Sequence, residues 1–179
     1  MHKENIFKVI ELIPQTIWTL VEVKNYMRIE GNYDDDLINS LIDAAIMAAE
    51  NFTKLTIITR RIEFVCNIKN QQNFQLKYQP IKELVKITLT NSDGSVIELQ
   101  SRQYYLDMAR SLLYLNKKLE NCQLTVEYFA GYDRISIPAS IRHGILMHIA
   151  EMYDRERQNA TSLSTEVKNL YLAYRQLKI

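Results

Sequence analysis

Histidine, the side chain that most readily exchanges a proton near neutral pH, occurs only at His2, His143 and His148. His143 and His148 stand five residues apart, whereas two metal ligands on one helix face need a spacing of four. His148 and Glu151 have the spacing of a di-metal carboxylate motif, but such a centre needs a matching pair from a second helix, and the chain has none. The ordinary reading is a helix-surface histidine with its hydrogen bonds met. Asp34-Asp35-Asp36 offers three carboxylates in a row, which a helix start explains, because aspartates there cap orphan N–H groups and suit the positive end of the dipole. Cys66 and Cys122 make neither a disulfide framework nor a metal-ligand pair and fit small core residues of a reduced, cytosolic protein. Four glycines leave no phosphate-binding loop, and no nucleophile elbow occurs. The sequence therefore predicts no catalytic residue, no cofactor and no metal, and a fold that forms without metal or nucleotide.

The elements that would carry any site are clearer. Asp34 to Thr53 repeats apolar residues every three or four positions, at Leu37, Leu41, Ala45, Ala48 and Phe52 with Ile38, Ile42, Ile46 and Ala49 beside them. That is a long amphipathic helix with one broad buried face. Before it, Thr19 and Glu22 stand in capping-box spacing and open a short helix to about Met27, so the two predict a helical hairpin. Ile6, Val9, Ile10 and Ile13 suit one or two helical turns ahead of Pro14. After Phe52 the period changes to two. Ile62 to Ile68, Phe74 to Tyr78, Val85 to Leu89, Val96 to Leu99, Tyr104 to Leu106, Leu112 to Leu115 and Leu124 to Tyr128 read as strands of an antiparallel meander. Asn70 to Asn73 reads as a polar turn, and Asn91-Ser92-Asp93-Gly94 as a hairpin turn. Pro138 suits the first position of another helix with Ile141, Ile145, Ile149 and Met152 on its apolar face. A last helix carries a narrow seam at Leu163, Val167, Leu170, Tyr174 and Leu177. The expected class is α+β, with the C-terminal helices packing on the N-terminal ones. The expected division is a domain over 1–157 and a linker with a helical arm over 158–179.

Composition is that of an ordinary soluble domain, 47% hydrophobic and 24% charged in 179 residues, with no signal-peptide layout and no membrane-spanning run. Net charge is +1, which gives no support to general nucleic-acid binding. The distribution is uneven. Residues 19–53 carry seven acids against two bases, a balance of −5, and residues 54–90 carry seven bases against two acids, a balance of +5. Eleven tyrosines are many for this length, and Tyr128, Tyr132, Tyr153, Tyr171 and Tyr174 crowd the C-terminal part. Tyrosine suits both sheet faces and protein interfaces.

Thr19-Leu20-Val21-Glu22-Val23-Lys24, with Met27-Arg28-Ile29 and Asp34-Asp35-Asp36, resembles the opening of the head–tail connector (adaptor, or head-completion) proteins of tailed bacteriophages. Phe52-Thr53 before Ile57-Ile58-Thr59 resembles that family's passage from long helix to first strand. Val126 to Tyr132 followed by Ile137-Pro138-Ala139-Ser140-Ile141-Arg142-His143-Gly144 is similar to its sheet-to-helix junction, and Met152 to Glu156 and Leu170 to Arg175 to its later helices. The likeness runs from about Thr16 to Arg175; the chain departs in its longer apolar lead, in Trp18, and in tyrosine where proline is usual near Tyr174.

The resemblance implies a non-enzymatic ring below the portal of the capsid that continues the DNA channel toward the tail. Its implied partners are copies of itself, the portal protein and a downstream tail or stopper protein, with DNA only as passing cargo and no membrane. It implies assembly in the bacterial host cytoplasm and residence at the head–tail junction of the virion. A DNA-packaging protein of the small-terminase kind is the alternative, and it predicts a helix-turn-helix and a basic helix that are not visible. A ring needs unlike patches to meet, so Lys82 and Lys86 of one subunit are expected to face Asp35 and Asp36 of the next. Tyr171 and Tyr174 are expected to anchor the arm on a neighbour or the portal, with docking on the chain's own domain as the other reading.

Overall fold

The computed structural model describes residues 5–156 and 163–176. The chain divides into two compact units, a sheet unit made of the residues up to Pro14 with Ile58–Tyr132, and a helical unit made of Gln15–Ile57 with the residues from Asp133 onward. The class is α+β as expected, but the division does not follow 1–157 and 158–179. The described part of the arm belongs to the helical unit, and the first strand to the sheet.

The sheet unit contains β1 (Ile6–Leu12), β2 (Arg60–Gln75), β3 (Ile81–Thr90), β4 (Val96–Glu98), a short 3₁₀ turn (Ser101–Gln103), β5 (Tyr104–Asp107) and β6 (Leu112–Ala130). All pairings are antiparallel, in the order β1-β2-β6-β3-β4, with β5 also on β6. Neighbours in sequence pair at β1–β2, β3–β4 and β5–β6, while β6 enters between β2 and β3. Alternation buries Ile62, Phe64, Cys66 and Ile68 of β2 with Cys122, Leu124, Val126 and Tyr128 of β6 on one face. The polar turn expected at Asn70 to Asn73 is absent, and so is the break left between the strands at Leu115 and Leu124. Asn70 to Asn73 stays within β2 and Lys117 to Glu120 within β6, because each stretch has the other as partner. Bulges at Ile68/Lys69, Lys69/Gln71 and Gln71/Asn73 absorb the mismatch, with Asn70 and Asn121 in the left-handed region. The Asn91–Gly94 turn between β3 and β4 is as expected, with Gly94 at φ 84°.

The apolar lead is also a strand. Ile6, Val9, Ile10 and Ile13 suit a helix because β1 carries a bulge between Val9 and Glu11, which breaks its alternation. Phe7 stacks on Phe64 at 4.5 Å, and the ammonium of Lys77 lies 4.9 Å from the centre of the Phe7 ring.

The helical unit contains α1 (Leu20–Met27), α2 (Asp35–Thr53), α3 (Ala139–Glu156) and α4 (Thr165–Leu172), with α3 packed on α1, α2 and α4. The Thr19 hydroxyl accepts from the Glu22 N–H at 3.2 Å, and the Glu22 carboxylate accepts from the Thr19 N–H at 2.8 Å, so the capping box stands as read. Asp35 and Asp36 stand in the first turn of α2, at the positive end of its dipole as expected, but the expected cap is missing. Asp34 makes no side-chain cap and instead accepts from the Tyr153 hydroxyl at 2.7 Å, and Asp35 pairs with Lys24 at 2.5 Å. The indole N–H of Trp18 donates to the Arg142 carbonyl at 3.0 Å while the Arg142 guanidinium lies over the ring, joining the lead into α1 to the first turn of α3.

Candidate assembly interface

With no catalytic residue expected, the residues in question are those offered to a partner. Lys82 and Lys86 lie exposed on β3, but Lys86 already faces Glu98 of β4 at 3.9 Å. The +5 stretch is further offset from outside its own window. Arg61 pairs with Glu127 of β6 at 2.5 Å and with Glu11 of β1 at 3.9 Å. The −5 stretch is likewise offset from outside its window, by Arg134 on Glu22. Asp36 is exposed, whereas Asp35 is half-buried in its ion pair. A charge balance counted along the chain misses these pairs, because they join strands and helices distant in sequence.

Tyr171 corrects the expectation of an anchor for a neighbour. It is fully buried in its own helical unit, 6.0 Å from the Phe52 ring, and its ring fills the space left by Gly144 of α3. A Cβ at Gly144 would stand 2.5 Å from a ring carbon of Tyr171. Burial pushes the Tyr171 hydroxyl well above its ordinary value, with the charge of Glu151 adding to the effect. Tyr174 is half-buried just beyond α4. The Ser164 hydroxyl donates to Glu151 of α3 at 2.6 Å and accepts from the Val167 N–H, so α4 is capped and tied at its first turn. Leu163, Val167 and Leu170 of the seam are at least half-buried, and Leu177 lies outside the described residues.

Neither helix histidine reads as a ligand. His143 is exposed and meets Tyr26 edge-on at 6.4 Å, while His148 is buried rather than on the helix surface. His2 lies outside the described residues. Among the described residues no group of three or more His, Cys, Asp or Glu is placed to hold a metal, and no helix is long and apolar enough to cross a membrane. The two cysteines are buried and free, and burial pushes the Cys66 thiol up to about 12.

Two exposed features escaped the sequence reading. Tyr33 stands in the turn between α1 and α2 with 98% of its surface in water. A groove of about 410 Å³ opens beside β4, floored by Leu89 and Leu115 and walled by Ile97, Leu99 and Leu119, with Arg102 and Lys117 at its rim. Only the acidic surroundings of Tyr33 hint at the first, and pairing of β6 with both β3 and β5 creates the second.

No sequence among curated proteins matches the chain. Solved structures do. One chain from the neck of an empty gene transfer agent particle, computed with C6 symmetry, aligns with a TM-score of 0.75 at 17% identity over 97% of both chains. Another from the neck of the native particle, computed with C12 symmetry, aligns with a TM-score of 0.74 at the same identity and coverage. At that identity the likeness is one of fold. A profile of the head completion proteins matches residues 16–169, nearly all of the helical unit's described residues and the whole sheet beyond β1. On that match, the chain belongs to the head completion protein family.

Proposed function

We propose that the protein is a structural component of the head–tail junction. It assembles as a ring below the portal, extends the DNA channel toward the tail or a stopper protein, and performs no catalysis. It is made in the bacterial host cytoplasm and ends in the virion. The observation that carries this reading is the family match over residues 16–169, and the shared fold with neck chains of a phage-like particle supports it. A cyclic ring requires two unlike patches per subunit, and Lys82 and Asp36 both lie at the surface, on β3 and at the start of α2.

The test uses the full chain with portal-bearing particles that lack it. Native mass spectrometry of the free protein and cryo-electron microscopy of the mixture are expected to give a closed ring seated on the portal. A chain that ignores the portal and binds duplex DNA as a monomer, with affinity falling steeply as salt rises, would favour the packaging alternative.

A further inference from the structure

The turn that carries Tyr33 is held firmly. Lys24 extends its ammonium to the Gly31 carbonyl and to Asp35 at 2.5 Å, and the Ile29 N–H donates to the Lys24 carbonyl at 3.0 Å. A large aromatic with 98% of its surface in water thus stands on a hydrogen-bonded turn. Two exposed acids flank it, Glu30 and Asp36, and neither pairs with another described residue. The groove beside β4 has the complementary character. Its floor is apolar, with Leu89 and Leu115 buried, and its volume of about 410 Å³ is ample for one aromatic side chain. Arg102 and Lys117 at the rim are exposed and make no ion pair with another described residue. The rim is built. The Asn116 amide donates to the Arg102 carbonyl at 2.6 Å, and Gln100 and Gln103 cap the 3₁₀ turn reciprocally.

We infer that the Glu30–Asp36 turn of one copy docks in the groove beside β4 of a second copy, with Tyr33 in the groove and Glu30 and Asp36 facing Arg102 and Lys117. The inference rests on the ring reading above and gives it a specific contact. Patch and counter-patch differ, so the contact is heterologous, the kind of contact that a ring repeats from subunit to subunit. An aromatic inserted in an apolar pocket and surrounded by opposite charges has the make-up of an interface hot spot.

The design of the contact permits a complementation test. Tyr33→Ala removes the anchor. Glu30→Lys/Asp36→Lys makes both patches basic, and Arg102→Glu/Lys117→Glu makes both acidic. Each variant alone is expected to associate at least tenfold more weakly than the parent by analytical ultracentrifugation while still unfolding cooperatively, since all five side chains are exposed, with a lowered midpoint only where Asp36→Lys puts a positive charge in the first turn of α2. An equimolar mixture of the two charge variants restores both complementary contacts and is expected to assemble like the parent. Parent rings that persist unchanged in every variant would overturn the contact and leave the ring reading standing. A parent that stays monomeric at all concentrations and on portal-bearing particles would overturn both. Unchanged self-association with lost portal attachment would assign the groove to the portal and also overturn the contact.

Discussion

Glu22 binds a helix start to a residue more than a hundred positions away. Its carboxylate accepts from the Thr19 N–H and hydroxyl and pairs with Arg134. The carboxyl is held below its ordinary value of 4.5, first by the Thr19 backbone and hydroxyl hydrogen bonds, then by the Arg134 charge. A carboxylate favoured in the folded state adds stability that is present above the unfolded-state value and lost as pH falls through the folded-state one. The thermal midpoint is therefore expected to drop as pH falls below the ordinary carboxyl value, and Glu22→Gln to flatten part of that drop. At neutral pH the same substitution is expected to cost less than about 1 kcal/mol, because glutamine also closes a capping box and the ion pair it loses is over a third exposed and solvent-screened. The cysteines give a second check at this scale. With the Cys66 thiol near 12 and both sulfurs buried, a thiol reagent at pH 8 is expected to label neither until the chain unfolds. Rapid labelling of the native protein would mean that β2 and β6 separate far more readily than their pairing implies.

The junction of α3 with α4 shows packing overriding propensity. Alanine in place of a helical glycine ordinarily stabilises by about 1 kcal/mol. At Gly144 the added methyl would press into the Tyr171 ring, and overpacking of this kind costs about 1–3 kcal/mol. Gly144→Ala is expected to destabilise in chemical denaturation. Tyr171→Ala is expected to cost about 3 kcal/mol, and adding Gly144→Ala to it to cost nothing more. Additive losses would show that the two residues do not share one space. Deletion of residues 160–179 follows the same logic. Val167 and Tyr171 have no exposed surface, so the truncated monomer is expected to melt well below the parent even without a partner. An unchanged midpoint would return the arm to a docking role on another subunit.

For the molecule as a whole, net charge near zero hides local patches that steer association. Self-association of the free protein is expected to weaken as salt rises from about 50 to about 500 mM, since exposed charges are screened over that range. Insensitivity to salt would point to a purely apolar interface and away from Lys82, Asp36 and the groove rim. The acidic and basic stretches of the sequence remain a guide to such patches only after internal pairs are subtracted. Lys86 with Glu98 and Arg61 with Glu127 take two charges from the raw +5, and Arg134 with Glu22 takes one from the raw −5.

What the sequence by itself determined is what depends on near neighbours. The period of α2, the Thr19–Glu22 capping box, the Asn91–Gly94 turn and the succession of helices, strands and helices all rest on residues within a turn or two of each other. The order of quoted segments from Thr19 to Arg175 also sufficed to identify the family. Tertiary structure decided the rest, because distant partners outweigh local preference. β1 is a strand because β2 offers it a ladder, and a bulge disguises its alternation. Asn70 to Asn73 stays within β2, through bulges, because β6 runs alongside. Tyr171 turns inward because α3 leaves a gap at Gly144; its spacing of four from Val167 puts it on the buried face of α4, but the gap itself lies on another helix. The groove beside β4 exists only because β6, last of the strands in sequence, is central in space.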